Sequence, residues 1–190
     1  TTLMAHIKQE VKNKKNGKIA GIWFKCNALT DRNIIKALYE ASRAGVNCQL
    51  IIRGICALRP GIPGLSDNIT IKSIVGRYLE HSRIYCFSSG HEMPSADNIV
   101  YISSADLMSR NLDYRIEVMA MIENKTVHTQ VLNEIFYNYL RDKKNSWLMR
   151  SDGTYKYMGS NDEIKTNSDD FDAHEYFLTH ESVSGHGLDI

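Results

Sequence analysis

Two hydrophobic spacings alternate along this chain. Leu3, Ile7 and Val11 recur at helical intervals, and Asn16-Gly17 makes a turn before a predicted strand over residues 19–25. Thr30 or Asp31 is placed to cap a helix over residues 31–44, with Ile34, Ile35, Leu38 and Ala41 on its inward side and Gly45 at its end. Residues 46–53 read as a buried strand, so this strand–helix–strand order implies a right-handed crossover between parallel strands. Residues 54–68 form a loop rich in Pro and Gly, and loops mounted on a sheet often carry binding groups. Strands follow at 69–75, 84–87, 99–103 and 116–122. Residues 125–141 then make an amphipathic helix through Val127, Val131, Ile135, Tyr139 and Leu140. The predicted class is α/β, a mixed and mainly parallel sheet flanked by helices 31–44 and 125–141.

Length and composition fit that picture. A chain of 190 residues with 43% hydrophobic content can bury one sizeable core. No apolar run approaches the roughly 20 residues that cross a bilayer, and no basic-then-apolar leader opens the chain, so a soluble intracellular protein is expected. Cys26, Cys48, Cys56 and Cys86 lack Cys-x-x-Cys spacing and mostly sit in apolar stretches, which predicts reduced packing thiols.

The net charge of +1 hides two regions. Residues 1–150, the predicted main domain, carry 21 Lys and Arg against 13 Asp and Glu, and residues 151–190 carry two lysines against nine acids. The first portion can attract a polyanion. The acidic tail reads as solvated loops, partly disordered between 152 and 172, with a short helix at 172–180 offering Phe171, Phe177 and Leu178 for docking.

Candidate chemistry concentrates in the middle of the chain. His81 and Arg83 lie two residues apart at the head of an apolar run, and in an extended strand such residues share a face and can aim at one anion. Taken alone, a histidine there is more often structural and an arginine more often solvated. Their company changes the balance. Arg53, Arg59, Arg77, Arg83, Arg110 and Arg115 are six of ten arginines, whereas Lys72 is the one lysine of thirteen between residues 53 and 115. Arginine presents a planar fork matched to phosphate oxygens. Positioned oxyanions are therefore expected.

The order Leu50-Ile51-Ile52-Arg53-Gly54, Arg59-Pro60-Gly61-Ile62-Pro63-Gly64, Gly76-Arg77-Tyr78-Leu79-Glu80-His81-Ser82-Arg83 and Ser103-Ser104-Ala105-Asp106-Leu107-Met108-Ser109-Arg110-Asn111, continuing through Asp113-Tyr114-Arg115-Ile116-Glu117, resembles the C-terminal catalytic domain of bacterial polyphosphate kinase from about residue 7 to 141. The resemblance implies one half of a phospholipase-D-like fold and a kinase that reversibly transfers the terminal phosphate of ATP to inorganic polyphosphate. ATP or ADP and polyphosphate are the implied ligands. Mg²⁺ would arrive with ATP, bound largely by groups outside this chain, and no residue here is assigned as a metal ligand. The implied partners are upstream domains of the same chain and further copies of it, without nucleic acid. The implied location is the cytoplasm, with the inner membrane as a peripheral station.

Site residues follow from the same likeness. Arg53, His81, Arg83, Arg110 and Arg115 would contact nucleotide or polyphosphate. In that family the phosphorylated histidine belongs to the preceding half-domain, which assigns His81 to acid–base or transition-state support. Glu80 and Glu117 would orient His81 or Arg83, with an ordinary salt bridge an equal reading for each. Ser104 and Asp106 would hold the turn beside the histidine, against the rival of a purely structural role. Phospholipase D enzymes carry His-x-Lys, a following Asp and Gly-Ser-x-Asn. Here Arg83 replaces the Lys, Phe87-Ser88-Ser89 replaces the Asp, and Ser103-Ser104-Ala105-Asp106 replaces the last motif. These departures disfavour the alternative of a phosphodiesterase or nuclease working as a symmetric dimer. A non-catalytic anion-binding module is the third reading.

Overall fold

A computed structural model describes residues 2–159 and 170–182. Helix α1 (Thr2–Lys15) leads to β1 (Gly21–Cys26), α2 (Arg32–Arg43), β2 (Asn47–Ile52), β3 (Ile69–Ile74), β4 (Ile84–Phe87) and β5 (Ile99–Ser103). A short helix α3 (Ser109–Leu112) and β6 (Met119–Met121) come next. A longer helical stretch follows, made of α4 (Lys125–Thr129), a π-helical centre (Gln130–Phe136) and α5 (Tyr137–Arg141). β7 (Ser146–Met149), β8 (Tyr155–Tyr157) and α6 (Ala173–Thr179) complete the order.

Eight strands among the described residues form one sheet in the order β6-β5-β4-β1-β2-β3-β7-β8. The α/β class and the mixed sheet hold, but the parallel majority does not. β1–β2 and β2–β3 pair in parallel, while the other five neighbouring pairs are antiparallel. Connection explains the difference. The α2 crossover returns the chain in the same direction, whereas β4 to β5 and β7 to β8 reverse through loops and pair antiparallel. The β7–β8 hairpin has no predicted counterpart, and β8 lies beyond residue 150.

Strand alternation sends two sets of side chains to two layers. Ile22, Phe24, Leu50, Ile52, Ile71 and Tyr85 meet Leu3, Ile7, Ile34, Leu38 and Ala41 from α1 and α2. Trp23, Ile51, Ile74, Ile84 and Val100 face Val131, Leu132, Phe136 and Tyr139 on the opposite layer. Asp31 caps α2 by accepting from the backbone N–H groups of Asn33 and Ile34 at 3.0 and 2.9 Å. Gly45 follows in the left-handed region at φ +89°, a conformation that suits a residue without Cβ.

Two predicted elements change form. The helix of residues 125–141 contains the π-helical segment, whose wider turn brings Leu132 and Phe136 to the sheet while Val127 stays 40% exposed. The strand expected at 116–122 contracts to β6. Ile116 is fully exposed there, and Ser104 replaces ladder bonding: its N–H donates to the Val118 carbonyl and its Oγ accepts from the Val118 N–H, both at 3.0 Å.

Much of the predicted loop region 152–172 lies outside the described residues. The later tail is docked rather than merely solvated. Phe171 and Phe177 pack against the second layer, while Leu178 remains half exposed. Asp142 anchors this segment by accepting from the Ala173 N–H at 2.8 Å, and Asp172 caps α6 through the Glu175 N–H at 3.0 Å. All four cysteines are free thiols, three of them buried. Among the described residues no helix is long and apolar enough to cross a membrane.

Phe136 is fully buried and stacks on Trp23 with ring centroids 5.5 Å apart. Phe136→Ala should lower unfolding free energy by about 3–5 kcal/mol, read from urea midpoints at unchanged slope. A loss under about 1 kcal/mol would mean that the π-helical layer is not part of the cooperative core.

Candidate active site

Four chain segments meet at one edge of the sheet. Asn27 follows β1, Arg53 follows β2, Arg83 immediately precedes β4, and Asp106 follows β5. Because β4 runs antiparallel to β1, and β5 antiparallel to β4, the start of β4 and the end of β5 lie beside the carboxyl ends of β1 and β2. Topology thus gathers residues that are remote in sequence.

A shared carboxylate joins them. Asp106 accepts from Arg83 through both oxygens, with Nε–Oδ1 at 3.1 Å and Nη2–Oδ2 at 3.0 Å. Its Oδ1 also accepts from the Asn27 backbone N–H at 2.8 Å and from Asn27 Nδ2 at 3.2 Å. Asn27 Oδ1 in turn accepts from Arg53 Nε and Nη2 at 3.1 and 2.9 Å. Both guanidiniums are therefore held in one network. Burial acts to raise the Asp106 pKa, but Arg83 and the Asn27 donors outweigh it and leave the carboxyl below its ordinary value. Arg83 shifts upward, chiefly through its bond to Asp106.

His81 stands next to this pair. Arg83 Nη1 donates to the His81 backbone carbonyl at 3.1 Å, and the exposed imidazole borders a cavity of about 530 Å³. Arg83, Ile84, Val131, Tyr139 and Tyr176 also line that cavity. Lys25 is buried on β1, forms an ion pair with Glu80 and lies 4.7 Å from the centre of the Tyr139 ring. Burial pushes the Lys25 ammonium down to about 7, with Arg53 and Arg83 acting in the same direction.

The other predicted residues separate into different environments. Glu80 is engaged with Lys25 and with the Ser82 N–H at 2.7 Å, rather than with His81 or Arg83. Glu117 accepts from Ser104 and, at 2.7 Å, from Asn111 Nδ2. These two hydrogen bonds lower its pKa, with Arg115 and Arg83 contributing smaller attractions. Glu80 thus makes an ordinary salt bridge, whereas Glu117 makes hydrogen bonds only. Arg110 and Arg115 are exposed on the stretch between β5 and β6 and stand outside the Asp106 network.

Sequence reasoning missed Asn27 and Lys25. Each had a faint signal: a lysine inside the apolar run Ile22-Trp23-Phe24-Lys25-Cys26, and a polar residue directly after it. Neither signal identifies a partner, since Asn27 and Asp106 are 79 residues apart.

Comparison with known proteins gives the family. A family model described as polyphosphate kinase C-terminal domain 2 matches residues 1–169. This chain belongs to that family. A polyphosphate kinase from Erythrobacter litoralis is 50% identical over 186 residues, covering 98% of this chain and 25% of the relative. One from Burkholderia vietnamiensis is 51% identical over 150 residues, covering 79% and 21%. The crystal structure of polyphosphate kinase from Porphyromonas gingivalis superposes with a TM-score of 0.80 at 37% identity, covering 92% of this chain and 25% of that one. The chain thus spans about a quarter or less of the length of these relatives.

The Asp106 contribution has a definite pH dependence. A carboxyl with a lowered folded-state pKa stabilises fully above the ordinary value of 3.8 and loses that contribution as pH falls through the folded value. Asp106→Asn should cost about 1–3 kcal/mol at pH 7, with its deficit relative to the parent chain narrowing below about pH 4. Denaturation curves at several pH values measure this. A deficit unchanged down to pH 2 would show that the ionised carboxylate is not what stabilises the network.

Proposed function

We propose that this chain is the C-terminal catalytic part of a polyphosphate kinase, which reversibly moves the terminal phosphate of ATP onto inorganic polyphosphate. Residues 1–150 supply His81 and phosphate-binding arginines, and an upstream domain of the same chain completes the site. The carrying observation is the Asp106–Asn27 network, which holds the Arg83 guanidinium against the His81 backbone carbonyl and ties Arg53 into the same set of hydrogen bonds.

Phosphoryl transfer relies on positioned charge more than on covalent work by the protein. Two guanidiniums held from behind present fixed positive charge to phosphate oxygens and need little reorganisation as the phosphoryl group moves. Arg110 and Arg115, exposed near the same end of β5, serve the longer polyphosphate chain. His81 supplies an imidazole able to hold or move a proton near neutral pH at the transferring group. The covalent phosphohistidine belongs upstream, so His81 acts on the leaving or entering oxygen.

Magnesium enters with the nucleotide and neutralises phosphate charge. Among the described residues no group of three or more His, Cys, Asp or Glu side chains is arranged to hold a metal, and this reading assigns no metal ligand here. ATP as donor places the reaction in the cytoplasm, and a homo-oligomer of the longer chain is part of this reading.

The purified 190-residue chain should show negligible ATP-dependent polyphosphate synthesis, while binding polyphosphate weakly and less so as salt rises. In a longer kinase carrying this domain, His81→Ala should reduce kcat by about 100-fold or more with a much smaller change in ATP affinity. Arg53→Ala should weaken ATP binding as well, because a fixed guanidinium also touches ground-state phosphates. Full turnover per folded molecule in the His81→Ala enzyme would remove His81 from the chemistry. Sustained synthesis by the isolated chain would overturn the divided site.

A further inference from the structure

His81 lies in a stretch without helix or strand, residues 75–83, between β3 and β4. Such a segment has little local hydrogen bonding to hold the His81 side chain in one place, and a displacement of about 1 Å at a transferring group is costly. Its path must be set by tertiary contacts. At its start the Val75 N–H donates to the Asn145 carbonyl at 2.9 Å, and towards its end Lys25 pairs with Glu80. Between those points the Tyr78 N–H donates to Nδ1 of His174 at 3.2 Å.

His174 belongs to α6, beyond the residues matched by the family model. It is 4% exposed, with its ring beside those of Tyr78 and Tyr139. A Cβ at Gly76 would lie 2.5 Å from His174 Nδ1, so the glycine permits this close approach. His174 also borders a small internal cavity shared with Lys25, Arg53, Glu80 and Tyr139. It therefore sits directly behind the groups that frame the candidate site.

We propose that His174 is a positioning residue for His81. By accepting from Tyr78 and packing on Gly76, it fixes the course of residues 76–80 and so the place where His81 emerges. Asp142 and Asn145 set α6 for this task. Asp142 accepts from the Ala173 N–H at 2.8 Å, and Asn145 Nδ2 donates to Asp172 at 2.8 Å. The tail segment is thereby joined to the site without supplying a reacting atom. The catalytic consequence rests on the role assigned to His81 above, whereas the mechanical one does not.

Three variants separate these possibilities. His174→Phe retains an aromatic ring but removes the acceptor, and His174→Asn places an oxygen near the former Nδ1. Gly76→Ala leaves His174 chemically intact but intrudes on it. In the 190-residue chain, hydrogen exchange should show the Tyr78 amide opening about ten-fold faster in His174→Phe and Gly76→Ala, with β1 and β2 protection unchanged. His174→Asn should restore protection to within about three-fold. The His81 ring resonances should move in the first two variants and return in the third.

In the longer kinase, His174→Phe should lower kcat about ten-fold while the KM for ATP changes by less than about two-fold, with recovery in His174→Asn. Unchanged Tyr78 exchange and His81 resonances in both disruptive variants would overturn the positioning role, as would loss of protection across the whole sheet. Local loosening with unaltered kcat would refute its catalytic consequence. If His81→Ala also kept full turnover, the fault would lie in the role assigned to His81. If His81→Ala lost turnover, the fault would lie in the proposed coupling to His174.

Discussion

The candidate site depends on the Asp106 carboxylate at the end of β5. A buried carboxylate requires partners, and Asp106 finds them in Arg83 and in the backbone and side chain of Asn27. Asn27 then holds Arg53. One anion thereby fixes segments attached to β1, β2, β4 and β5. It also offsets the repulsion that two guanidiniums would otherwise feel at the same edge. The orientation of both guanidiniums is thereby set.

A second group of polar contacts holds the helical layer against the same sheet. Lys72 on β3 donates to the Leu140 and Asp142 carbonyls at 3.0 and 2.9 Å, placing a cation at the C-terminal end of α5. Burial lowers its pKa to about 8, with Asp142 opposing the shift. Lys25 on β1 ties Glu80 to the interior beneath Tyr139. Two strand lysines that would seem misplaced in an apolar layer thus fasten the helix end and the segment bearing His81. Asp142 extends the connection to α6 and the tail.

Some of this architecture is legible in local chemistry. The apolar stripe through Ile34, Leu38 and Ala41, the Asp31 cap and Gly45 specify α2, while the flanking apolar runs specify β1 and β2. The concentration of arginines between residues 53 and 115 is the basis for expecting positioned oxyanions, and the motif around Arg53, His81 and Asp106 carries the family likeness. Strand direction was less legible. Alternation records which face is buried, and β1 and β4 are buried throughout, but neither pattern states whether a neighbouring strand runs parallel or antiparallel. β7 and β8 are short, and β7 pairs with β3 and β8 with β7 without a strong hydrophobic repeat of their own.

The sequence by itself determined the main helices and strands, the family and the residue types available for phosphate chemistry, because periodicity, capping and motif order are local properties. Only tertiary structure decided that Glu80 pairs with Lys25, that Asn27 links Arg53 to Asp106, and that His174 meets Tyr78 across 96 positions. The physical reason is that desolvated donors and acceptors require partners, and chain topology determines which remote groups are close enough to satisfy them.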